Sequence, residues 1–260
     1  MAKEDELLRV KNLCKVFKNK KKHQVETVEA VKNVSFECNP GEIFGLLGPN
    51  GAGKTTTLRC ISTLLKPSGG NVFIDRFNVL EDEKTIRSMI GFLTSDMKLD
   101  GFFTPDYMVG YFGRLNKMNE EKIKRRKEYL FKELQMNEFI HKKIDKLSTG
   151  MKQKTAIAIS LIHDPGVIVF DEPTNGLDVI TSKSVTDFLK KYAKEGKTIV
   201  ISTHIMNVAE KLCDRFGILI DGELKELGSL KEILEKNSSD NLEDVFFSYI
   251  LPRKEEENHV

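Results

Sequence analysis

The chain has 260 residues, long enough for one large domain or a domain with a subdomain, and its 40% apolar and 31% charged content is that of a globular protein. Its 41 basic and 39 acidic side chains nearly cancel, which argues against a nucleic-acid partner. No apolar run approaches 18 residues, so no membrane-spanning helix is predicted.

In chain order, the start Met1-Ala2-Lys3-Glu4-Asp5-Glu6 does not read as an export signal. Short strands are predicted over 7–13, 28–38 and 43–47. The last runs into Gly48-Pro49-Asn50-Gly51-Ala52-Gly53-Lys54-Thr55, which has the spacing Gly-x-x-x-x-Gly-Lys-Thr, and a helix follows from 56 to about 65. Strand, glycine loop and helix together are the context a phosphate-binding loop requires. Glycines 48, 51 and 53 let the backbone approach an anion. Successive N–H groups and the helix N-terminus supply positive potential. Lys54 is expected to reach the β- and γ-phosphates, and Thr55 to place a hydroxyl on Mg2+.

Further strands are predicted over 71–75, after the turn Pro67-Ser68-Gly69-Gly70, and over 90–94. Residues 104–163 have a mostly helical pattern. The segment Leu147-Ser148-Thr149-Gly150-Met151 opens a helix there, with Ser148 as its N-cap and Gly150 clearing space at its N-terminus, a second place for an anion. The apolar strand over 167–170 ends in Asp171-Glu172-Pro173. A strand buried on both faces is continuously apolar, and ligands of such sheets bind at the carboxyl edge. Asp171 is placed to hold Mg2+, directly or through water, and Glu172 to polarise a water against the γ-phosphate. A helix over 179–192, a strand over 198–202 and a helix over 205–212 follow. Strands over 216–220 and 223–227 pair across Asp221-Gly222. A last helix over 240–249 precedes a polar tail from Arg253 to Val260. Strands alternating with helices argue for an α/β sheet carrying a long helical insertion. Cys14, Cys38, Cys60 and Cys213 are widely spaced and read as free thiols of a reducing compartment. The basic runs Lys20-Lys21-Lys22 and 122–127 read as solvated surface.

On these motifs and their order, residues from about 5 to 235 resemble the ATP-binding subunits of ABC transporters. The resemblance implies a P-loop NTPase (RecA-like) α/β core with an antiparallel β subdomain and a helical signature subdomain over about 96–164. The ATP-binding domain would cover 1–236, and a C-terminal helix and polar tail 237–260. It implies ATP and Mg2+ as ligands, and ATP binding by Gly48 through Thr56 (Gly48, Pro49, Asn50, Gly51, Ala52, Gly53, Lys54, Thr55 and Thr56), with Phe17 stacking on adenine or serving as a core residue. Ser148, Thr149, Gly150 and Met151 are similar to the signature that contacts ATP held by a second copy. Asp178, in Asn175-Gly176-Leu177-Asp178, matches the dimer-seam loop, and His204 the switch histidine. Lys54, Glu172 and His204 are the implied catalytic set. Two positions depart from the family: Ser95, followed by Asp96, stands where a glutamine usually reaches Mg2+, and Thr149 and Met151 replace a signature Gly and Gln.

The patterns over 91–96 and 102–112 look most like sodium-extruding pumps of the NatA type, and 242–247 is similar to exporters of the ABC-2 class. The implied protein is a homodimeric motor on the cytoplasmic face of the membrane, bound to a separate integral membrane permease. The aromatic surface between 95 and 114 either docks that permease or is a buried helix face. Alternatives are a soluble cassette ATPase outside transport and a nucleotide-dependent regulatory module. A GTPase is disfavoured, since no Asn-Lys-x-Asp guanine reader occurs.

Overall fold

The computed structural model describes residues 7–21, 24–95 and 97–251. The segment before residue 7, Lys22, His23, Asp96 and the tail from residue 252 lie outside the described residues.

Two sheets are built from ten strands among the described residues. Strands β1 (Leu8–Lys21), β2 (Gln24–Cys38), β4 (Gly69–Ile74) and β5 (Phe77–Asn78) form an antiparallel sheet in the order β2-β1-β4-β5. The second sheet has six strands: β3 (Ile43–Leu47), β6 (Ile90–Leu93), β7 (Val167–Asp171), β8 (Thr198–Thr203), β9 (Arg215–Ile220) and β10 (Glu223–Gly228). Their order is β10-β9-β3-β8-β7-β6, parallel throughout except for the β9–β10 hairpin.

The large sheet is covered on both faces, which explains its uninterrupted apolar strands. Residues alternate between two cores: Ile168, Phe170, Ile199 and Ile201 enter one, and Val167, Val169 and Val200 the other. The first core is shared with helices α3 (Pro105–Leu115), α4 (Glu120–Glu133), α5 (Thr149–Leu161) and α6 (Val179–Lys194). The second is shared with α1 (Lys54–Ile61), α2 (Glu83–Met89) and the antiparallel sheet. A smaller core joins β9 to α7 (Met206–Leu212), α8 (Leu230–Asn237) and α9 (Leu242–Ile250). Helices α3, α4 and α5 all lie between the adjacent strands β6 and β7, so the expected α/β core, antiparallel sheet and helical insertion are present.

Several boundaries differ from expectation. Helix α1 stops at Ile61, short of residue 65, because Thr63 enters the left-handed region (φ +60°) and the Leu64 and Leu65 N–H groups both turn back to the Arg59 carbonyl. Strand β1 runs on to Lys21 instead of ending at residue 13, and β2 starts at Gln24 instead of 28. Pairing between the two carries polar residues such as Lys18 opposite Thr27 into the ladder. Helices α2 and α8 were not anticipated. All four cysteines are free thiols, and burial pushes the Cys60 thiol up to about 11.

Candidate functional site

The carboxyl ends of β3, β6, β7 and β8 open on one cavity of about 290 Å3. Asn50, Gly51, Ala52, Gly53, Lys54, Thr55 and Thr56 line it from the loop after β3. Ser95 contributes from the segment after β6, Asp171, Glu172 and Asn175 from β7 and the turn after it, and His204 from the end of β8. Seven consecutive residues of the loop and the first turn of α1 thus face the three titratable groups that the sequence singled out.

Two glycines of the loop, Gly48 and Gly53, are sterically required. A Cβ on Gly48 would sit 2.3 Å from the Leu219 carbonyl oxygen. One on Gly53, at φ +102°, would sit 2.3 Å from the Ala30 carbonyl oxygen. Helix α1 then begins with no side-chain hydrogen bond at its N-terminus. Its first N–H groups have no intrahelical acceptor, so the loop and helix end present donors and partial positive charge to an anion.

Lys54 is buried and donates to the carbonyls of Gly48 (2.7 Å) and Pro49 (3.1 Å), with Glu172 Oε1 3.9 Å from its Nζ. Burial pushes its ammonium below the usual lysine range, and Glu172 and Asp171 oppose that. Asp171 is 1% exposed, and its Oδ2 accepts from the Thr55 hydroxyl at 2.8 Å. Glu172 has a left-handed backbone (φ +52°), uncommon outside glycine. Its Oε1 lies 2.9 Å from His204 Nδ1. The arrangement can hold a polyphosphate on the loop, a hard cation between Thr55 and Asp171, and a carboxylate fixed by an imidazole beside them.

Not every predicted residue meets there. Phe17 lies in β1 opposite Val28, with the Lys15 ammonium 5.2 Å from its ring centre, and is not among the cavity's lining residues. Ser148, Thr149, Gly150 and Met151 do not line it either. Ser148 caps α5, its Oγ accepting from the Met151 N–H at 3.3 Å. Gly150 is needed for packing: a Cβ there would lie 2.7 Å from Thr181 Cγ2. Asp178 caps α6 and accepts from both the N–H and the hydroxyl of Thr181, bonds that hold its carboxyl below the usual range. Asp96 lies outside the described residues.

Sequence reasoning missed Gln153, whose Nε2 donates to the Pro173 carbonyl at 2.8 Å and ties α5 to the turn after Glu172. It also missed Ser202, which touches both acidic residues. Neither belongs to a spacing pattern; the parallel pairing of β7 with β8 puts Asp171 opposite Ser202.

The aromatic stripe around α3 lies on the surface. Phe102 is 70% exposed, and Tyr107 and Tyr111 are also exposed. Phe103 stacks on Tyr107 at 4.7 Å, and Tyr107 on Tyr111 at 6.3 Å.

Comparison with known proteins gives the same picture. Residues 31–175 match the family described as ABC transporter. The ABC transporter ATP-binding protein NatA of Bacillus subtilis (strain 168) is 39% identical over 236 residues, 90% of this chain and 94% of that protein. Methionine import ATP-binding protein MetN 1 of Bacillus cereus is 35% identical over 235 residues, 87% of this chain and 66% of that protein. The solved cassette MJ0796, dimeric in a post-hydrolysis state with ADP and Pi, is 33% identical and covers 86% of this chain and 98% of its own, with a TM-score of 0.77.

Proposed function

Because the chain belongs to the family of ABC transporter ATP-binding proteins, we propose that it is the motor of an exporter, acting at the cytoplasmic face of a membrane on a separate permease subunit. As a member of that family it binds ATP and is an ATPase. The observation that carries the rest is the convergence of Lys54, Thr55, Asp171, Glu172 and His204 on one cavity at the carboxyl edge of the sheet.

In this reading, ATP lays its phosphates along residues 48–56. Lys54 leaves the Gly48 and Pro49 carbonyls for the β- and γ-phosphates, exchanging neutral partners for charged ones. The Thr55 hydroxyl and the buried Asp171 carboxylate are hard oxygen donors already in contact, a set suited to Mg2+ shared with a nucleotide. Mg2+, when bound, would neutralise charge on the phosphates, and Ser95, which lines the same cavity, would be a further residue to hold it. Glu172 takes the proton of the attacking water, and His204 holds its carboxylate in place.

The cavity is one half of a site. Ser148–Met151 sit away from it, so a second copy facing head to tail brings its signature helix to the γ-phosphate, with Asp178 at the seam. The dimeric state of MJ0796 supports that pairing. We assign the cassette to residues 1–236, its helical part to about 96–164 and a C-terminal segment to 237–260. Phe17 is assigned to the adenine. The exposed rings of Phe102, Tyr107 and Tyr111 are the proposed permease contact, since a buried helix face would have hidden them. Export, with sodium as cargo, rests on the resemblance of residues 91–96 and 102–112 to such pumps and of 242–247 to exporters; the likeness to a methionine import protein makes direction a property to be measured.

Glu172→Gln tests the reading. It should lower ATP turnover by about a hundredfold or more, the usual effect of losing a general base, and trap an ATP-bound dimer on gel filtration. In cells carrying the permease it should stop sodium efflux. Unchanged turnover removes Glu172 from its role, and efflux that persists after turnover is lost removes the cargo.

A further inference from the structure

Ser202 is fully buried on β8 with its hydroxyl committed twice. It donates to Asp171 Oδ1 at 2.5 Å and accepts from the Glu172 N–H at 3.0 Å. The roles are unambiguous: the N–H can only donate, and a hydroxyl has one proton to give, which goes to the carboxylate. We propose that Ser202 is a positioning residue of the ATPase site, one hydroxyl setting the orientation of the Asp171 carboxylate and the backbone of Glu172 together.

With Thr55 donating to Oδ2 and Ser202 to Oδ1, both oxygens of Asp171 are held, and rotation about its last side-chain bond breaks one contact or the other. Glu172 is held along its length. Its N–H is shared between the Ser202 hydroxyl and the Ser202 carbonyl (3.2 Å), and its carboxylate meets His204, two residues further along the same chain segment. The left-handed backbone at Glu172 is sparsely populated for such a residue and persists only where its surroundings fix it. An apolar side chain at 202 would leave Asp171 Oδ1 without this donor and remove one of the two acceptors of the Glu172 N–H. The β7–β8 register, which sets Asp171 against Ser202, makes this possible.

The inference rests on the proposed metal role of Thr55 and Asp171, and the experiment separates the two. Binding of a fluorescent ATP analogue is titrated with Mg2+ for the wild type, Ser202→Ala and Ser202→Thr, with melting temperature and steady-state turnover followed alongside. Losing a hydrogen-bond partner of a metal-holding carboxylate typically costs 10- to 100-fold in metal affinity or activity. Ser202→Ala should therefore raise the Mg2+ concentration for half-maximal enhancement of binding by about tenfold and lower kcat. Metal-free binding, which depends on the loop after β3, should stay the same. Ser202→Thr, which keeps the hydroxyl, should restore the Mg2+ response. Should the alanine chain not fold, Ser202→Cys, a weaker donor of similar size, should show the same shift in smaller measure. A wild type without Mg2+-enhanced binding defeats the metal reading itself. A wild type with it, and a folded Ala or Cys variant with the same Mg2+ midpoint, defeats the role of Ser202 alone.

Discussion

Helix α1 begins without a capping side chain, behind a loop of glycines and a buried lysine that has only its own loop's carbonyls and a carboxylate 3.9 Å away for company. Helix α5 begins under Ser148, with Gly150 pressed against Thr181 and Gln153 bonded to the Pro173 carbonyl. Both are helix N-termini with the same backbone potential. The first leaves its donors open toward a cavity; the second is locked by contacts within the chain and points elsewhere. The difference teaches that the first is open to an anion within its own chain, whereas the second, in the function proposed above, is held rigid for presentation to a second copy.

The largest expected effect tests the open half. Lys54→Ala removes the lysine that lines the cavity. Hydrogen bonds to charged groups contribute about 1.5–3 kcal/mol, so ATP affinity should fall by about ten- to a hundredfold, measured by fluorescent-nucleotide titration. The Lys54 ammonium is held below the usual lysine range by burial, with Glu172 and Asp171 opposing that; the fold should therefore tolerate its loss, and the melting temperature should change little. An affinity within twofold of wild type would show that the open backbone donors hold the anion without the lysine.

The open half was legible in the sequence because it is local: strand, glycine spacing, lysine and threonine occupy one stretch, and Asp171-Glu172 ends an apolar run that only a doubly covered strand explains. The locked half was legible only in part. Ser148 as a cap is a local signal and the structure has it. The reason for Gly150 is Thr181, thirty-one positions away, and Gln153 and Ser202 act through partners that only the sheet brings near. The long polar ends of β1 and β2 escaped for the same reason, since cross-strand pairing rather than a periodic apolar pattern builds them; helix α2 is too short to show a period, with Ile86 as its buried residue.

A second prediction sharpens the contrast. Gly150→Ala puts a Cβ 2.7 Å from Thr181 Cγ2 and 2.9 Å from Thr181 Oγ1. Overpacking of this kind costs about 1–3 kcal/mol, to be read from urea unfolding. Thr181→Ala removes both opposing atoms and should recover part of that loss in the double variant. ATP binding by the single chain should be unaffected, because Gly150 does not line the cavity. A Gly150→Ala chain as stable as wild type would show that α5 can shift, and that it is not the rigid half.

The smallest effect concerns the far end of the same segment, just past α5. His163 Nε2 lies 3.0 Å from the Ile90 carbonyl oxygen. A carbonyl only accepts, so Nε2 carries the proton, and Nδ1 is buried without a hydrogen-bond partner among the described residues. Burial pushes the His163 pKa below the usual 6.5, with Arg126 adding to that and the Ile90 carbonyl and Asp164 opposing it. Between the lowered value and 6.5 the unfolded chain binds a proton that the folded chain refuses, so stability must fall as pH drops through that window. Above about 6.5 neither state holds the proton and this contribution is flat. Its slope cannot exceed about 1.4 kcal/mol per pH unit, the limit for one proton. Urea melts at pH 7, 6 and 5 should show the decline, and His163→Gln should lessen it by up to that slope. Equal pH dependence in the two chains would mean that the imidazole accepts its second proton inside the fold, and that this end of the α5 segment is open to water rather than locked.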